Sequence, residues 1–272
     1  MTIRFDPGYG AQPFRGLCEQ YPEETVYPVA DFRVEWGPVF HRGRLDGSAR
    51  VLVIGQDPAQ HEVMARRILV GTAGRRLQGL LAKLGIERSY ALVNTFLYSV
   101  YGQGGGEKHK KDAAIAAYRN KWLDALLVGK NVEAVIALGS LADQAWTAYR
   151  LTPAGAALNV AYAHVTHPTQ PESSSRSGQT TLAAATTALL KNWNTTLQAL
   201  KPAVTHPDVA KPLALYGTKW AAGDEVEIPA DDFPAGTPEW MRGDKAWAVR
   251  KGATAKEKRY TIAVTVPKAF QV

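Results

Sequence analysis

Four short apolar runs constrain this chain most: Val51-Leu52-Val53-Ile54, Tyr90-Ala91-Leu92-Val93, Val132 to Leu138 with one break at Glu133, and Ala161 to Thr166. Continuous runs of this length predict buried strands rather than strands with one face in water. Between them lie segments with apolar residues at helical spacing. Leu77, Leu80, Leu81 and Leu84 follow the first run, and Ile115, Tyr118, Trp122 and Leu126 precede the third. Ser140 is placed to cap a helix carrying Leu141, Ala145 and Trp146, and a last helix is expected over about 179–200. Strands alternating with helices predict an α/β fold. The expected form is a three-layer α/β/α arrangement around a central, mostly parallel four-stranded sheet, with a β-rich C-terminal extension.

Three segments are expected. Residues 1–44 carry aromatic residues at irregular spacing and read as cladding; residues 45–200 hold the α/β domain. From 201 to 272 the character changes: Pro202, Pro207 and Pro212 mark a break, and Trp220, Trp240, Trp247 and the β-forming run Tyr260 to Val266 suit a small β-rich domain or an extension packed on the core. With 46% apolar and 21% charged residues, wholesale disorder is excluded. A net charge of +7 favours a polyanionic partner. Cys18 is the single cysteine, which excludes an internal disulfide and any all-cysteine metal or iron–sulfur site. Met1-Thr2-Ile3-Arg4-Phe5-Asp6 has no basic-then-apolar signal pattern, and nowhere do eighteen apolar residues run together. A cytoplasmic monomer without a membrane partner is expected.

In parallel α/β sheets, ligands bind beyond the carboxyl ends of the strands. Asp57 follows the first run, Asn94 ends the second and His167 follows the fourth. Pro168 disfavours helix at His167 and holds it at the strand end. Singly, each residue has an ordinary structural reading: an Asx-turn or cap for Asp57, a turn for Asn94, a satisfied core histidine for His167. Their joint occurrence at strand ends brings an acid, an amide and an imidazole to one crevice. Metal-ligand spacing of the His-Glu-x-x-His kind, a phosphate-binding Walker loop, a dinucleotide fingerprint and a Gly-x-Ser-x-Gly elbow are all missing.

Gly55-Gln56-Asp57-Pro58 is similar to the Gly-Gln-Asp-Pro-Tyr-His motif of uracil-DNA glycosylases, and His167-Pro168-Thr169-Gln170-Pro171 looks like their His-Pro-Ser-Pro-Leu motif. Val93-Asn94-Thr95 resembles the strand-end asparagine that reads the base. Val70-Gly71-Thr72-Ala73-Gly74 resembles the Val-Gly-Arg-Ala-Gly of the thermophilic branch. The likeness covers roughly residues 45–200. Departures mark an atypical member without the iron–sulfur cluster. Ala59 stands where the best-known branch has tyrosine, Leu69 or Ile68 where relatives have the phenylalanine that stacks on uracil, and Gln170-Pro171 where they have Pro-Leu.

The resemblance implies a monofunctional enzyme of base-excision repair that hydrolyses the N-glycosidic bond of flipped-out deoxyuridine, without metal or cofactor. Asp57 would stabilise the oxocarbenium-like sugar and position the attacking water, and His167 would donate to uracil O2, shared with the backbone N–H of Gln56. Asn94 would accept from N3–H and donate to O4, a pattern cytosine cannot match. Gly55, Pro58, Ala59 and Leu69 would complete the base pocket. DNA contacts are expected from Lys108, Lys110 and Lys111 after the Gly-rich loop, from Arg67 and Arg75 near the first motif, and from Thr169, Gln170, Ser173 and Arg176 near the second. Alternatives are a glycosylase for hypoxanthine or xanthine, suggested by the open position at Ala59, and a lesion- or abasic-site-binding protein with weak turnover.

Overall fold

The computed structural model of the chain describes residues 7–102, 104–243 and 247–271. In chain order the elements are α1 (Phe14–Glu19), β1 (Arg42–Gly43), β2 (Val51–Gly55), α2 (Gln60–Ala65), α3 (Thr72–Leu84), β3 (Tyr90–Asn94), α4 (Gly105–His109), α5 (Ala113–Leu127), β4 (Ala134–Leu138), α6 (Ser140–Arg150), α7 (Pro153–Ala156), β5 (Ala161–Val165), α8 (Gln170–Arg176) and α9 (Leu182–Leu200), followed by β6 (Ala248–Arg250), α10 (Ala255–Tyr260) and β7 (Ile262–Val264).

The main sheet runs β1-β3-β2-β4-β5, with β2 to β5 parallel and β1 antiparallel to β3. After β3 the chain crosses β2 to lay β4 on its other side. Strand order therefore reverses at β2, which makes its carboxyl end the place for a ligand. Alternation along β2 feeds two cores. Val51 and Val53 pack with Leu77 and Leu81 of α3 and Leu189 and Trp193 of α9. Leu52 and Ile54 pack with Ile115 and Leu123 of α5 and Ala142 and Trp146 of α6. Each such buried aliphatic side chain is worth about 1.5–3 kcal/mol, so the helices on both faces are held mainly by these strands.

The sheet has five strands rather than the expected four. The additional strand, Arg42–Gly43, is two residues with no apolar pattern. Gly43 has φ 91°, and a Cβ there would lie 2.3 Å from the Tyr90 carbonyl oxygen, so only glycine pairs with β3 this closely. At the other edge β5 alternates: Ala163 and Val165 are buried, Tyr162 and His164 exposed. Its apolar run is thus half-buried, unlike the three strands inside it.

Beyond α9 the described residues run mostly as irregular chain, and Val204, Leu213, Tyr216 and Trp220 pack on the α3–α9 core. Tyr216 sits in that core, with its ring edge-on to Trp193 and Trp220. Asp208 accepts the backbone N–H groups of Glu87, Arg88 and Ser89, and the buried Asp232 pairs with Arg42 at 3.4 Å. The C-terminal region does form a sheet of its own, but a small one: β6 and β7, three residues each, pair antiparallel. Within Tyr260–Val266 only Ile262–Val264 is strand, because the capping box of Thr254 and Glu257 starts a helix that runs through Tyr260. Trp247 and Ala248 bury themselves with Ile228 and Phe233 against Ala65 and Val70, at the turn between α2 and α3.

One arginine joins three parts of the chain. Arg76 of α3 is 7% exposed; its guanidinium donates to the Pro168 carbonyl at 2.8 Å, pairs with Glu172 of α8 at 2.8 Å and Glu225 at 2.9 Å, and lies 4.6 Å from the Trp220 ring centre. Arg76→Gln removes charge-assisted hydrogen bonds worth about 1.5–3 kcal/mol together with the anchor of the His167 loop. A lower urea midpoint with an unchanged slope is expected; an unchanged midpoint would show the node to be dispensable.

Candidate active site

Asp57, Asn94 and His167 line one cavity of about 510 Å³ at the carboxyl ends of the strands, together with Gln56, Ala59, Leu69, Thr169, Gln170 and Ser173. The pairing of β2 with β3 continues past the strands and fixes their mutual placement. Thr95 N–H donates to Gly55 O and Phe96 N–H to Gln56 O, both at 2.9 Å. Asn94 thereby arrives beside Gly55, where a Cβ would stand 2.3 Å from the Asn94 side-chain oxygen. Glycine at position 55 is what lets the amide reach the cavity. Asn94 is 9% exposed, and its Nδ2 has no hydrogen-bond partner among the described residues. A buried donor left open in a cavity wall is suited to a ligand acceptor.

The Asp57 carboxylate is held at both oxygens. Val100 N–H donates to Oδ2 at 2.9 Å and the Gln56 side-chain amide to Oδ1 at 3.4 Å. Burial raises its pKa; those two donors and the guanidinium groups of Arg33 and Arg250 oppose the rise. The result is an oriented carboxyl group whose charged form burial disfavours and these donors and cations support.

His167 reaches the same cavity from β5, across the end of β4. Gly139 there has φ 84°, a backbone conformation that glycine adopts without strain, and lies in van der Waals reach of the His167 Cβ. Helix α9 fixes the strand end: Trp193 Nε1–H donates to Thr166 O at 2.9 Å and Thr166 N–H to the Asn192 side chain at 2.8 Å. Burial pushes the His167 pKa down to about 4, so the ring is neutral near pH 7. Thr169 N–H donates to Nδ1 at 3.4 Å, which makes Nδ1 the acceptor and leaves the proton on Nε2. A neutral imidazole with a protonated Nε2 is a hydrogen-bond donor matched to a developing oxyanion.

Sequence reasoning missed Glu62, which organises the remaining wall. Its carboxyl group accepts Ala59 N–H and, at 2.8 Å, Leu69 N–H, tying both ends of helix α2 and its following turn together. Leu69 is held with φ 52°, and α3 closes beneath it because Gly74 has no side chain; a Cβ there would come within 1.7 Å of Leu69 O. Burial raises the Glu62 pKa to about 7. Its one sequence signal is an acid three residues after Ala59, the spacing of a capping box. His61 also lines the cavity, its ring edge-on to Trp247 at 4.8 Å.

The residues expected on DNA divide. Ser173 and Gln170 are exposed at the mouth of the cavity and Arg176 is exposed on α8. Arg67 is misassigned as a phosphate contact: it is 5% exposed, with its guanidinium on the Arg66 carbonyl at 2.7 Å. The buried Ala65 and Ile68 stand on either side of the Arg66-Arg67 pair. Arg75 is half-buried on α3. Lys108 pairs with Asp31 and Lys110 with Glu107, each at 2.8 Å, so acids on the same surface already neutralise much of the lysine cluster. Lys111 is exposed.

Comparison with known proteins agrees with this geometry. The family model described as the uracil DNA glycosylase superfamily matches residues 42–205, more than half of the chain, and takes in β1 to β5 and all three converging side chains. A search of curated proteins found no match. With the acid, the amide and the imidazole assembled at the reversal point of a parallel sheet and the match extending over that whole sheet, the chain belongs to the uracil DNA glycosylase superfamily.

Proposed function

We propose that the cavity takes uracil flipped out of DNA and hydrolyses its N-glycosidic bond, leaving an abasic site. The observation that carries this reading is the convergence of Asp57, Asn94 and His167 from three strand ends on one cavity, with the Asn94 Nδ2 donor open. The superfamily consists of enzymes that act on DNA, which fits the net charge of +7. Asn94 donates to O4 and accepts from N3–H; cytosine, with an amino group at C4 and no hydrogen on N3, leaves both partners unsatisfied. As the C1′–N1 bond breaks, its electron pair departs with the base, and the charge on O2 meets the Nε2–H of neutral His167. Positive charge on the sugar meets the Asp57 carboxylate. Water then bonds to C1′ and gives its proton to Asp57, while the uracil anion is reprotonated from solvent.

Alkaline cleavage of uracil-containing DNA tests this directly. Asp57→Asn keeps the shape and removes the charge, and His167→Ala removes the Nε2 donor. Each is expected to slow single-turnover excision by about 10²–10³-fold while binding stays measurable, the scale seen when one transition-state donor is lost. Wild-type protein that leaves uracil DNA intact would sink the proposal.

The pH profile follows from the two shifted groups. Burial raises the Asp57 pKa, so as pH falls the carboxylate is protonated and the rate drops at a pH above about 3.9, the ordinary aspartate value. His167, pushed down to about 4, stays neutral above that and contributes no step near 6.5. A profile of kcat/KM is expected to show one acid limb, set by Asp57 above the ordinary aspartate range, with no limb that disappears in His167→Asn. An acid limb at about 6.5 that this variant abolishes would assign the imidazole a charged role.

One observation favours a wider substrate range. Ala59 is exposed at the cavity wall and leaves open the side where a ring would stand. Hypoxanthine and xanthine in DNA therefore belong in the same assay, beside a thymine mismatch. Ala59→Tyr fills that side and is expected to reduce excision of the bulkier bases relative to uracil by at least about tenfold, the scale of a pocket clash. Equal loss on every base would place Ala59 outside the pocket's selectivity.

A further inference from the structure

A second cavity, of about 640 Å³, opens on the other side of the Asp57 loop. The two are separated by little: Asp57 lines the first and accepts the N–H of Val100, which lines the second, while Ala59 faces the first and Gln60 the second. Its walls are cationic. Arg33 comes from the N-terminal segment, Arg250 from β6 and Lys258 from α10, beside Tyr101 from the loop after β3. Arg33, Arg250 and Lys258 all lie outside residues 42–205, the part matched to the superfamily. The two segments that flank the glycosylase domain in sequence thus build this cavity together.

None of these three cations forms an ion pair with a carboxylate among the described residues. Arg33 is 6% exposed; one guanidinium nitrogen donates to Ser99 Oγ at 3.1 Å and to Val100 O, while its Nε has no hydrogen-bond partner. Burial, Arg250 and Arg259 work against its charge, while Asp57 and Glu35 favour it. Nearby acids are engaged elsewhere: Glu35 holds Arg259, Glu257 caps Ala253 and Thr254, and Asp57 belongs to the first cavity. Among the described residues, Arg250 and Lys258 pair with no carboxylate. A buried cation with an open donor, facing two free cations across a cavity, is an arrangement that an anion stabilises. The hairpin that carries Arg250 is fixed where it stands, since Ala248 N–H donates to His61 Nε2 at 3.3 Å and Trp247 packs on the His61 ring.

We propose that this cavity seats a phosphodiester of the DNA strand flanking the flipped nucleotide. The proposal rests on the glycosylase reading for its choice of ligand: a strand whose base occupies the first cavity must leave it over the Asp57 loop, and phosphates are the anions it carries. A phosphate contact of this kind positions the strand without reading sequence.

The test uses a uracil-free single-stranded oligonucleotide, with binding followed by fluorescence anisotropy between 50 and 200 mM salt, roughly the range over which phosphate contacts show. Arg250 and Lys258 are exposed, so Arg250→Gln with Lys258→Gln leaves the fold intact. The double variant is expected to bind about tenfold more weakly and to lower the slope of log K against log salt by about 0.7, the value for one phosphate on a single strand. Lys130→Gln, an exposed lysine just before β4 at the opposite end of the sheet, is the control and is expected to keep the slope. A slope in the double variant equal to that of the control overturns the phosphate site. Uracil excision measured in parallel separates the two ideas. Wild type that excises uracil, with an unaltered slope in the double variant, rejects this site and keeps the glycosylase. Wild type that excises no base, with the slope lowered in the double variant, keeps this site and rejects the glycosylase.

Discussion

A parallel sheet buried on both faces admits no working polar group along its inner strands, and that constraint places every candidate for chemistry in this protein. From Val51 to Ile54 and from Ala134 to Leu138 each side chain enters one of two cores, so the first polar residues appear only where pairing ends. Asn94 closes β3, and Asp57 and His167 follow two residues beyond the ends of β2 and β5. Helices on both sides leave the carboxyl rim as the open surface, and the reversal of strand order at β2 supplies the crevice.

Within that rim, positions are set by close backbone approaches more than by side-chain packing. Gly55 makes room for the Asn94 amide and Gly74 for the Leu69 carbonyl. Glu62 then locks Ala59 and Leu69 to one carboxyl group. A site whose acid, amide and imidazole come from separate segments is preorganised only if those segments cannot slide, and these contacts remove the freedom.

The strand ends were legible because uninterrupted apolar runs have one structural meaning when helices separate them, and the motifs at their ends carry the residue types the chemistry needs. What escaped has a physical reason in each case. Arg42–Gly43 is a strand made by its neighbour, Tyr90, with no pattern of its own. Tyr260–Val266 has high β-propensity, yet a capping box upstream decides its first residue. Lys108 and Lys110 form a basic cluster on paper, but Asp31, 77 residues away in sequence from Lys108, and Glu107 neutralise them. The cations without a carboxylate ion pair among the described residues are instead Arg33, Arg250 and Lys258, which no local window can hold together. Composition recorded the surplus charge without locating it.

The two cavities share one electrostatic system. Burial works against the Asp57 anion, and Arg33 and Arg250 are among the groups that offset it. A phosphodiester seated between those cations would neutralise much of their pull, so the carboxylate would sit at higher energy in the DNA complex than in the free protein. The positive sugar that forms as the glycosidic bond breaks is the partner that relieves this. Stabilisation would then be greater at the transition state than on binding, which is the condition for a bound strand to raise the rate of the chemical step as well as affinity. The segments outside the superfamily match would in this way act on the reaction through the charge of Asp57, without touching the base.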